Sequence, residues 1–350
     1  MVIPKTMQVA LAHDYNDIRI EQMEVPQPGP GEALVKIHAL GLCMSDTESW
    51  YMHKKCPFVL GHEPAGEIVQ LGEGVTKFKP GDRVYFHHHA PCMKCRHCRN
   101  GNFVMCETWR HSKLIPGGAA QYCVIPANNL DKDTLILPDN MSYSEGTLIE
   151  PLACVVRAYE RTRLIPGDTV AIMGLGVMGQ MMAVLAKHMG AAKIIASDKV
   201  PFRLQHGLKM GVDRVVDFTQ ESFPEVVKAE TDGQGADVVM VCPTSPQAMQ
   251  EGIECAGRSA RVLLFMGPEP GTMLPVDMNK IYFNEIDIVA SYSCGPTETR
   301  QALWLINHGV STEAQMVTHH FPLTQINEAI ELSKKGQNSL KIIIDIDQHR

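Results

Sequence analysis

Four side chains in this sequence could together hold a metal ion that takes part in a reaction. Cys43 offers a thiolate, His62 an imidazole, and Glu63 and Glu150 offer carboxylates. This mixture of ligands is typical of a catalytic zinc that keeps one coordination position open. Each residue alone has a purely structural interpretation, since a single His is often only hydrogen-bonded and Cys43 could fill a core. Their combination among turn residues favours the zinc site.

A second group of cysteines follows a C-x2-C-x2-C-x7-C pattern, formed by Cys92, Cys95, Cys98 and Cys106. Four thiolates this close in sequence can close a tetrahedral zinc site that has no open position. Such a metal stabilises a lobe and does no chemistry. The alternatives are four unrelated reduced cysteines or an iron–sulfur cluster, but nothing else in the sequence indicates electron transfer. We therefore expect a structural zinc.

The run from Gly174 to Gly179 matches the G-x-G-x-x-G fingerprint of a dinucleotide site. It follows a β-rich run and opens a helix, which is the context this motif requires. Gly174 permits a tight turn, Gly176 lets the backbone approach a pyrophosphate, and Gly179 allows close packing of the helix on the sheet. Val177 and Met178 begin the helix whose N-terminus would hold the phosphates. A turn that is merely rich in glycine is the alternative.

Asp198 ends the next predicted strand, about 20 residues after the glycines, where a carboxylate can accept hydrogen bonds from the ribose hydroxyls. It would repel a 2′-phosphate, so the sequence favours NAD over NADP. Lys199 and Arg203 weaken that preference because they bring positive charge to the same place. Arg203 could instead lie over the adenine ring.

Two kinds of secondary structure must position these groups. Residues 1 to about 130 alternate short β-like runs with Gly and Pro turns, which predicts a mostly antiparallel β domain. From about residue 170 strands and helices alternate, which indicates a parallel sheet with helices on both faces. A last predicted strand, residues 341–346, is expected to return to the first domain.

Composition limits the possible functions. The chain has 350 residues, 45% of them hydrophobic, which predicts two globular domains. Its net charge of −7 gives no electrostatic reason to expect nucleic acid or an anionic membrane as a partner. The most apolar window, residues 170–186, is interrupted by glycines and does not predict a membrane span. The N-terminus lacks an apolar signal segment, and eleven Cys indicate reduced thiols and metal ligands, so we expect a cytoplasmic protein.

Cys43, the run Gly61-His62-Glu63, the lobe Cys92–Cys106 and the loop Gly174–Gly179 occur in an order and spacing that resemble a known family. The family is that of the zinc-dependent medium-chain alcohol dehydrogenases, and the resemblance covers essentially the full length. Glu150-Pro151-Leu152 resembles the branch of sorbitol, threonine and galactitol-phosphate dehydrogenases. In that branch a Glu stands where the classical alcohol dehydrogenases use a Cys as the third protein ligand.

The resemblance implies an α/β protein with a doubly wound Rossmann domain and a mostly β, GroES-like catalytic domain. The expected division is residues 154–290 for NAD binding, with residues 1–153 and 291–350 forming the catalytic zinc-binding domain. The active site is expected in the cleft between the domains. The resemblance also implies a homodimer or homotetramer built by pairing edge strands near Ile286–Ala290.

The implied chemistry is hydride transfer from a substrate hydroxyl to NAD, aided by zinc. Two zinc ions per chain are expected, one catalytic and one structural. Ser45 matches a family hydroxyl that passes the substrate proton outward. Glu48 occupies a position where the family often has a His in the proton relay. Glu63 would exchange with substrate or water, and Glu150 would bind zinc directly or through water.

The substrate pocket departs from the family pattern in two places. Polyol dehydrogenases commonly have an Arg before the Tyr that follows the late strand, whereas this chain reads Ala290-Ser291-Tyr292. Where an aromatic residue often lines the pocket, the chain carries Arg110, His111 and Lys113, which form either a solvated basic loop or a site for an anionic substrate group. Trp50 is a further candidate substrate contact.

The sequence thus predicts an NAD-dependent zinc dehydrogenase that oxidises the CH–OH group of a small polyol, sugar alcohol, diol or hydroxy acid. One alternative is a phosphorylated, sulfonated or carboxylated alcohol as substrate. A second is a non-enzymatic redox sensor that combines the zinc lobe with NAD binding. A third is a zinc-free quinone reductase of the same fold, which would need neither Cys43 nor His62.

Overall fold

The computed structural model describes residues 2–346 of the chain. Its contacts divide the described residues into two compact units, and each is described by itself. Unit 1 comprises the residues up to Ala153 and from Cys294 onward, and unit 2 comprises Cys154–Ser293. The chain thus re-enters unit 1 at residue 294, whereas the sequence placed this boundary at residue 291. Ser291 to Ser293 stay with unit 2 because they directly follow its last strand.

The first part of unit 1 consists of short strands joined by turns, as the Gly/Pro punctuation predicts. Its helices are short, and Ser142 caps the helix Tyr143–Thr147 by accepting a hydrogen bond from the Glu145 backbone N–H at 2.9 Å. The strands are β1 Thr6–Asp14, β2 Asp17–Glu24, β3 Ala33–Gly41, β4 Phe58–Val59, β5 Glu63–Leu71, β6 Arg83–Phe86, β7 Tyr122–Ile125 and β8 Thr134–Ile136. The helices are α1 Ser49–Met52, α2 Arg96–Arg99, α3 Glu107–His111, α4 Ala127–Asp133 and α5 Tyr143–Thr147, with 3₁₀ turns at Met44–Thr47 and Phe103–Met105.

Helix α6, Ile149–Thr162, carries the chain into unit 2, where strands and helices alternate. The strands are β9 Thr169–Met173, β10 Lys193–Asp198, β11 Arg214–Asp217, β12 Ala236–Val241, β13 Ala256–Leu264 and β14 Asp287–Ala290. The helices are α7 Val177–His188, α8 Pro201–Lys209, α9 Phe223–Glu230, α10 Pro246–Cys255 and α11 Met278–Phe283.

All strand pairs of unit 2 are parallel, in the order β11-β10-β9-β12-β13-β14. This is the 3-2-1-4-5-6 order of the doubly wound dinucleotide-binding fold. Its central strands are fully buried, as expected for a sheet covered on both faces, and Val170 and Val239 are 0% exposed. The predicted Rossmann domain is therefore confirmed.

The chain then returns to unit 1 with α12 Pro296–Asn307, α13 Glu313–Met316, β15 Val317–Pro322, a 3₁₀ turn at Leu323–Gln325, α14 Ile326–Lys335 and β16 Lys341–Asp345. Strand β16 pairs with β3, so the two halves of unit 1 share the sheet β15-β16-β3-β5-β6-β8, to which β7 is added on β3. Except for β15 with β16, these pairs are antiparallel. The predicted GroES-like domain, mostly antiparallel, is confirmed.

A membrane-spanning role finds no support in the helices between residues 2 and 346. None of them combines the length and the apolar character that crossing a bilayer requires.

Candidate metal centre and dinucleotide site

Paired strands bring three of the predicted metal ligands together in unit 1. Strands β3 and β5 are antiparallel, and Gly41 at the end of β3 lies opposite Glu63 at the start of β5. Cys43 follows β3 by two residues, and His62 immediately precedes β5. The donor atoms of Cys43, His62 and Glu63 lie within 4.8 Å of one another. A thiolate, an imidazole and a carboxylate at this separation suit a zinc ion.

Two glycines make this close approach possible. A Cβ on Gly41 would lie 2.2 Å from Oε2 of Glu63, and no real contact is that short. Gly61 has φ of +85°, which favours glycine, and a Cβ there would come within 2.6 Å of the Leu40 side chain. The turn before His62 therefore depends on glycine both for its backbone conformation and for space.

Glu63 forms an ion pair with Lys341, a residue that the sequence alone did not identify. Lys341 lies on β16, and its Nζ also donates to the carbonyl oxygen of Leu42 at 3.2 Å. The exposed fractions of the two side chains are 2% for Lys341 and 1% for Glu63. Burial acts to lower the pKa of Lys341, but Glu63 outweighs it and the pKa is raised. Burial acts to raise the pKa of Glu63, and Lys341 opposes that shift.

A signal for Lys341 was present in the sequence. The residue stands inside the run Leu340–Ile346, which otherwise reads as a buried strand. A buried ammonium is costly unless a carboxylate or other charge compensates it. A Lys in such a strand therefore predicts a buried acidic partner, although it does not say which one.

Buried groups also orient His62. Its Nδ1 lies 3.6 Å from Oδ1 of Asp46, whose side chain is 5% exposed. Burial acts to lower the pKa of His62, but Asp46 and Cys43 together raise it well above its usual range. A carboxylate behind a histidine is the common arrangement that fixes the ring of a metal ligand. Ser45 Oγ donates to the Cys43 sulfur at 3.4 Å, so this hydroxyl lies beside the donor group.

The other candidate residues near this centre lie on the adjoining short helices. Glu48 is half-buried and links the 3₁₀ turn Met44–Thr47 to α1. Trp50 is half-buried on α1, where its ring contacts that of Tyr51 and the Lys54 ammonium lies 5.0 Å from its centroid. The roles of Glu48 and Trp50 in catalysis and substrate binding remain predictions.

Glu150 belongs to a further group of donors, and its expected role at the catalytic zinc stays a prediction. It lies in the first turn of α6, is 6% exposed, and groups with His87 and Cys294, with the three donor atoms within 4.8 Å of one another. The group formed by Cys43, His62 and Glu63 does not include it. Its charge still acts on both His62 and Glu63, raising the pKa of each. Glu150 is therefore near the centre of Cys43, His62 and Glu63 and also belongs to the cluster that it forms with His87 and Cys294.

The three consecutive histidines at 87–89 follow the end of β6 at Phe86, so the alternation of side chains along a strand does not apply to them. The His88 ring lies 4.9 Å from that of His62 and 4.1 Å from that of His89. Burial, together with the neighbouring histidines, lowers the pKa of His88 well below its usual range and that of His89 to about 3. Both rings are therefore neutral at physiological pH.

The four-cysteine lobe has the dimensions of a tetrahedral zinc site. The sulfurs of Cys95 and Cys98 are 3.5 Å apart and those of Cys92 and Cys98 are 3.9 Å apart. Four thiolates bound to zinc at the usual bond length stand about 3.8 Å from each other. Backbone N–H groups of Lys94 and Cys95 lower the pKa of Cys92 to about 6, which favours the thiolate that a metal needs.

Arg110 and His111 lie on α3, in the lobe itself. Both are exposed. Arg110 Nε donates to the carbonyl of Val104 at 3.3 Å, and His111 Nδ1 donates to the carbonyl of Glu107 at 2.8 Å. Trp109, which directly precedes them, is buried at 1% exposure and packs with Phe103 and Val104 in a small core. The basic residues thus belong to the outer face of the lobe.

In unit 2 the glycine loop has the shape required for a phosphate. Gly174 has φ of +89°, and a Cβ on Gly179 would come within 1.9 Å of the Gly174 carbonyl oxygen. Gly176 precedes α7 and has no side chain that could cap it. The first backbone N–H groups of the helix, including those of Val177 and Met178, have no acceptor within the helix and can therefore donate to a ligand in the loop. A helix N-terminus of this kind attracts a pyrophosphate.

Asp198 ends β10 and closes this loop. Its Oδ2 accepts a hydrogen bond from the Leu175 N–H at 2.8 Å, and its Oδ1 accepts from Lys199 and Val200 at 2.7 and 2.9 Å. Arg203 lies beside it, with 3.6 Å between NH1 and Oδ2. A carboxylate can accept further hydrogen bonds, so Asp198 can hold the loop and still accept from a ribose. The residues fit a nicotinamide dinucleotide.

Comparison with known proteins supports the assignment of both a zinc site and a dinucleotide site. Residues 29–138 match the model of the alcohol dehydrogenase GroES-like domain, and residues 177–308 match that of the zinc-binding dehydrogenases. The chain is 32% identical to sorbitol dehydrogenase of Bacillus subtilis, over 98% of each chain. It is also 32% identical to L-threonine 3-dehydrogenase of Caldanaerobacter subterraneus, over 91% of this chain and 92% of the relative.

A solved structure described as an alcohol dehydrogenase from Escherichia coli CFT073, in complex with NADH, superposes with a TM-score of 0.88 at 25% identity. The match covers 98% of this chain and all of the other. The full-length similarity, the two predicted metal centres and the glycine loop agree with one another. The protein therefore belongs to the zinc-binding medium-chain alcohol dehydrogenase family and is a zinc-dependent, NAD(P)-dependent alcohol or polyol dehydrogenase.

Proposed function

We propose that the enzyme uses NAD and oxidises a secondary hydroxyl of a small polyol, sugar alcohol, diol or hydroxy acid. The observation that carries this proposal is the donor set Cys43, His62 and Glu63, with Ser45 beside the Cys43 sulfur. Relatives named for sorbitol and for threonine 3-oxidation support a substrate of this class. At this level of identity they do not identify the molecule.

When bound, zinc would acidify the substrate hydroxyl, and NAD would take up the hydride. The chain's own residues then have separate tasks. Ser45 would accept the hydroxyl proton and pass it outward, and Glu48, three residues further along the same short segment, would carry it onward. Lys341 balances the charge of Glu63, while Asp46 holds the ring of His62.

The preference for NAD rests on Asp198, whose carboxylate would accept from the ribose hydroxyls and repel a 2′-phosphate. Arg203 lies 3.6 Å from Asp198, and that ion pair reduces the positive charge it could offer to a phosphate. The same ion pair also reduces the negative charge of Asp198, so the proposed preference for NAD depends on the hydrogen bonds that this carboxylate would accept from the ribose.

An anionic substrate is the alternative, and it depends on Arg110 or His111. Both side chains are exposed and hydrogen-bonded to carbonyls of the lobe, as expected for a solvated basic surface. We therefore favour a substrate whose binding does not depend on this basic surface.

We also propose a homo-oligomer, dimer or tetramer, formed through β14. This strand is the last in its sheet, and an exposed edge strand offers unpaired backbone groups to another chain. Large exposed apolar side chains lie on this strand and in the residues just before and after it. Their exposed fractions are 39% for Ile288, 74% for Tyr282, 73% for Phe283 and 51% for Tyr292. Such a patch is typical of a protein interface.

The test of the catalytic proposal is a screen of alcohols with zinc-loaded protein, followed by NADH absorbance. We expect turnover of polyols or diols and a loss of roughly a hundredfold or more in Cys43→Ser and His62→Ala. Cys123→Ser is the matched control, because Cys123 is a fully buried thiol outside the donor groups found among residues 2–346. Full activity of Cys43→Ser, or a substrate set restricted to phosphorylated or sulfonated alcohols, would contradict the proposal.

A further inference from the structure

A third group of metal-type donors lies in unit 1, apart from the two centres already described. It consists of Nε2 or Nδ1 of His87, a carboxylate oxygen of Glu150 and the sulfur of Cys294, all within 4.8 Å of one another. His87 and Cys294 are 0% exposed and Glu150 is 6% exposed. An imidazole, a carboxylate and a thiol buried together are the donor types that zinc binds.

The surroundings of His87 orient it as a ligand. Its Nδ1 donates to Oδ2 of Asp133 at 2.8 Å, and Asp133 in turn accepts from the Thr299 hydroxyl at 2.5 Å. Asp133 and Thr299 are both 0% exposed. With Nδ1 protonated by this contact, Nε2 is the basic nitrogen, and it is the atom that faces Cys294. A buried carboxylate that holds the far nitrogen of a histidine is the usual support of a metal-bound imidazole.

The distance between the imidazole of His87 and the sulfur of Cys294 agrees with both binding one ion. Nε2 of His87 and the sulfur of Cys294 are 3.7 Å apart. Nitrogen and sulfur bound to one tetrahedral zinc at the usual bond lengths stand about 3.6 Å apart. The charges also balance, because one divalent cation neutralises the thiolate of Cys294 and the carboxylate of Glu150 within a buried volume.

Cys294 is held firmly in this position. The indole Nε1 of Trp109 donates to the Cys294 carbonyl at 3.2 Å, and the Phe103 ring packs so closely on Gly295 that a Cβ there would lie within 2.7 Å of it. The next residues begin α12 with a capping contact from the Gly295 N–H to Glu298. The zinc lobe therefore supports the segment that carries the thiol.

We propose that His87, Glu150 and Cys294 form a third metal position, for zinc or a similar divalent ion, next to the catalytic centre. Glu150 is the link between the two, since its charge acts on His62 and Glu63 and a carboxylate has two oxygens with which to face two ions. The inference rests on these donors and not on the identity of the alcohol substrate.

Metal content tests it directly. Full-length protein is saturated with Zn²⁺, desalted, and analysed for zinc and protein. We expect three ions per wild-type chain, one for each donor group found among the described residues, and two in Cys294→Ser. Cys123→Ser should keep three. Cobalt substitution adds a second readout, since the near-ultraviolet thiolate-to-cobalt absorption should be smaller in Cys294→Ser than in wild type and unchanged in Cys123→Ser.

Two zinc ions in the wild type would overturn the inference, and this measurement needs no variant to fold. Three ions in both the wild type and Cys294→Ser would also overturn it, because the extra ion would then lie elsewhere. Either result leaves the dehydrogenase proposal intact, which depends on Cys43 and His62. Conversely, three ions in a protein that turns over no alcohol would contradict only the proposed function.

Discussion

The buried ion pair of Lys341 and Glu63 determines what Glu63 can contribute at the catalytic centre. Glu63 has the donor type of a zinc ligand and lies among the other donors, but its carboxylate is also held by Lys341. A metal ion that binds the carboxylate of Glu63 must therefore compete with the buried ammonium group of Lys341. We therefore expect Glu63 to be the exchangeable ligand, with Cys43 and His62 as the permanent ones.

At the residue scale we predict that Lys341→Met destabilises the protein strongly. It leaves the Glu63 charge buried without its partner, and breaking a buried pair in this way costs roughly 3–5 kcal/mol. The measurement is the free energy of unfolding from urea titration at neutral pH. Lys341→Met combined with Glu63→Gln is the control, and it should recover part of the loss because no uncompensated charge remains. Equal stability of Lys341→Met and wild type would show that the pair is energetically neutral.

At the scale of elements, strand ends carry the chemistry in both units. In unit 1 the ends of β3 and β5 bring Cys43 next to His62. In unit 2 the carboxyl ends of the parallel strands β9 and β10 carry the glycine loop and Asp198. Side chains at such ends are held in place by a rigid sheet next to the loops that approach a ligand, which explains why binding groups collect there.

At this scale we predict that Asp198→Ala lowers kcat/KM with NAD and reduces the ratio of NAD to NADP turnover by about tenfold or more, since hydrogen bonds to a charged acceptor are lost. Steady-state kinetics with both cofactors measures it. Asp213→Ala is the matched control, because Asp213 also accepts a backbone N–H, that of Ile194 at 2.8 Å, at the opposite end of the same sheet. An equal fall with NAD and NADP would mean that Asp198 only supports the loop.

At the scale of the whole molecule, β14 leaves one end of the parallel sheet open. The sheet has two edge strands, β11 and β14, and each pairs with one strand among those described. The two edges differ in exposure, since the residues of β11 are buried or half-buried whereas Asp287, Ile288 and Ala290 of β14 are exposed. An apolar edge of this kind is a risk for aggregation unless a specific partner covers it. A second copy of the chain is the simplest partner.

We accordingly predict that the wild type sediments as a dimer or tetramer and that Ile288→Glu shifts it toward the monomer, because a charge at a buried interface is costly. Analytical ultracentrifugation at micromolar concentration measures the change. Leu208→Glu is the control, since Leu208 is 52% exposed on α8 and lies outside the edge strand. A monomeric wild type, or dissociation by Leu208→Glu to the same extent, would contradict an interface at β14.

The sequence by itself determined those features whose signals are local. The glycine loop, the four-cysteine lobe and the alternation of strands and helices can each be recognised in a short window, because spacing and periodicity act between near neighbours. Family resemblance added Cys43, His62 and Glu63 as one group, and the structure brings their donors together.

Only the tertiary structure decided which distant residues meet. Lys341 and Glu63 are 278 residues apart, and His87 and Cys294 are 207 apart. These contacts depend on the register in which β16 joins β3 and on where the chain re-enters unit 1 at Cys294. No local pattern encodes that register. The sequence therefore predicted the donors that meet in the four-cysteine lobe and in the group of Cys43, His62 and Glu63. It predicted neither the counter-ion of Glu63 nor the cluster of His87, Glu150 and Cys294, which exist only once remote segments pack together.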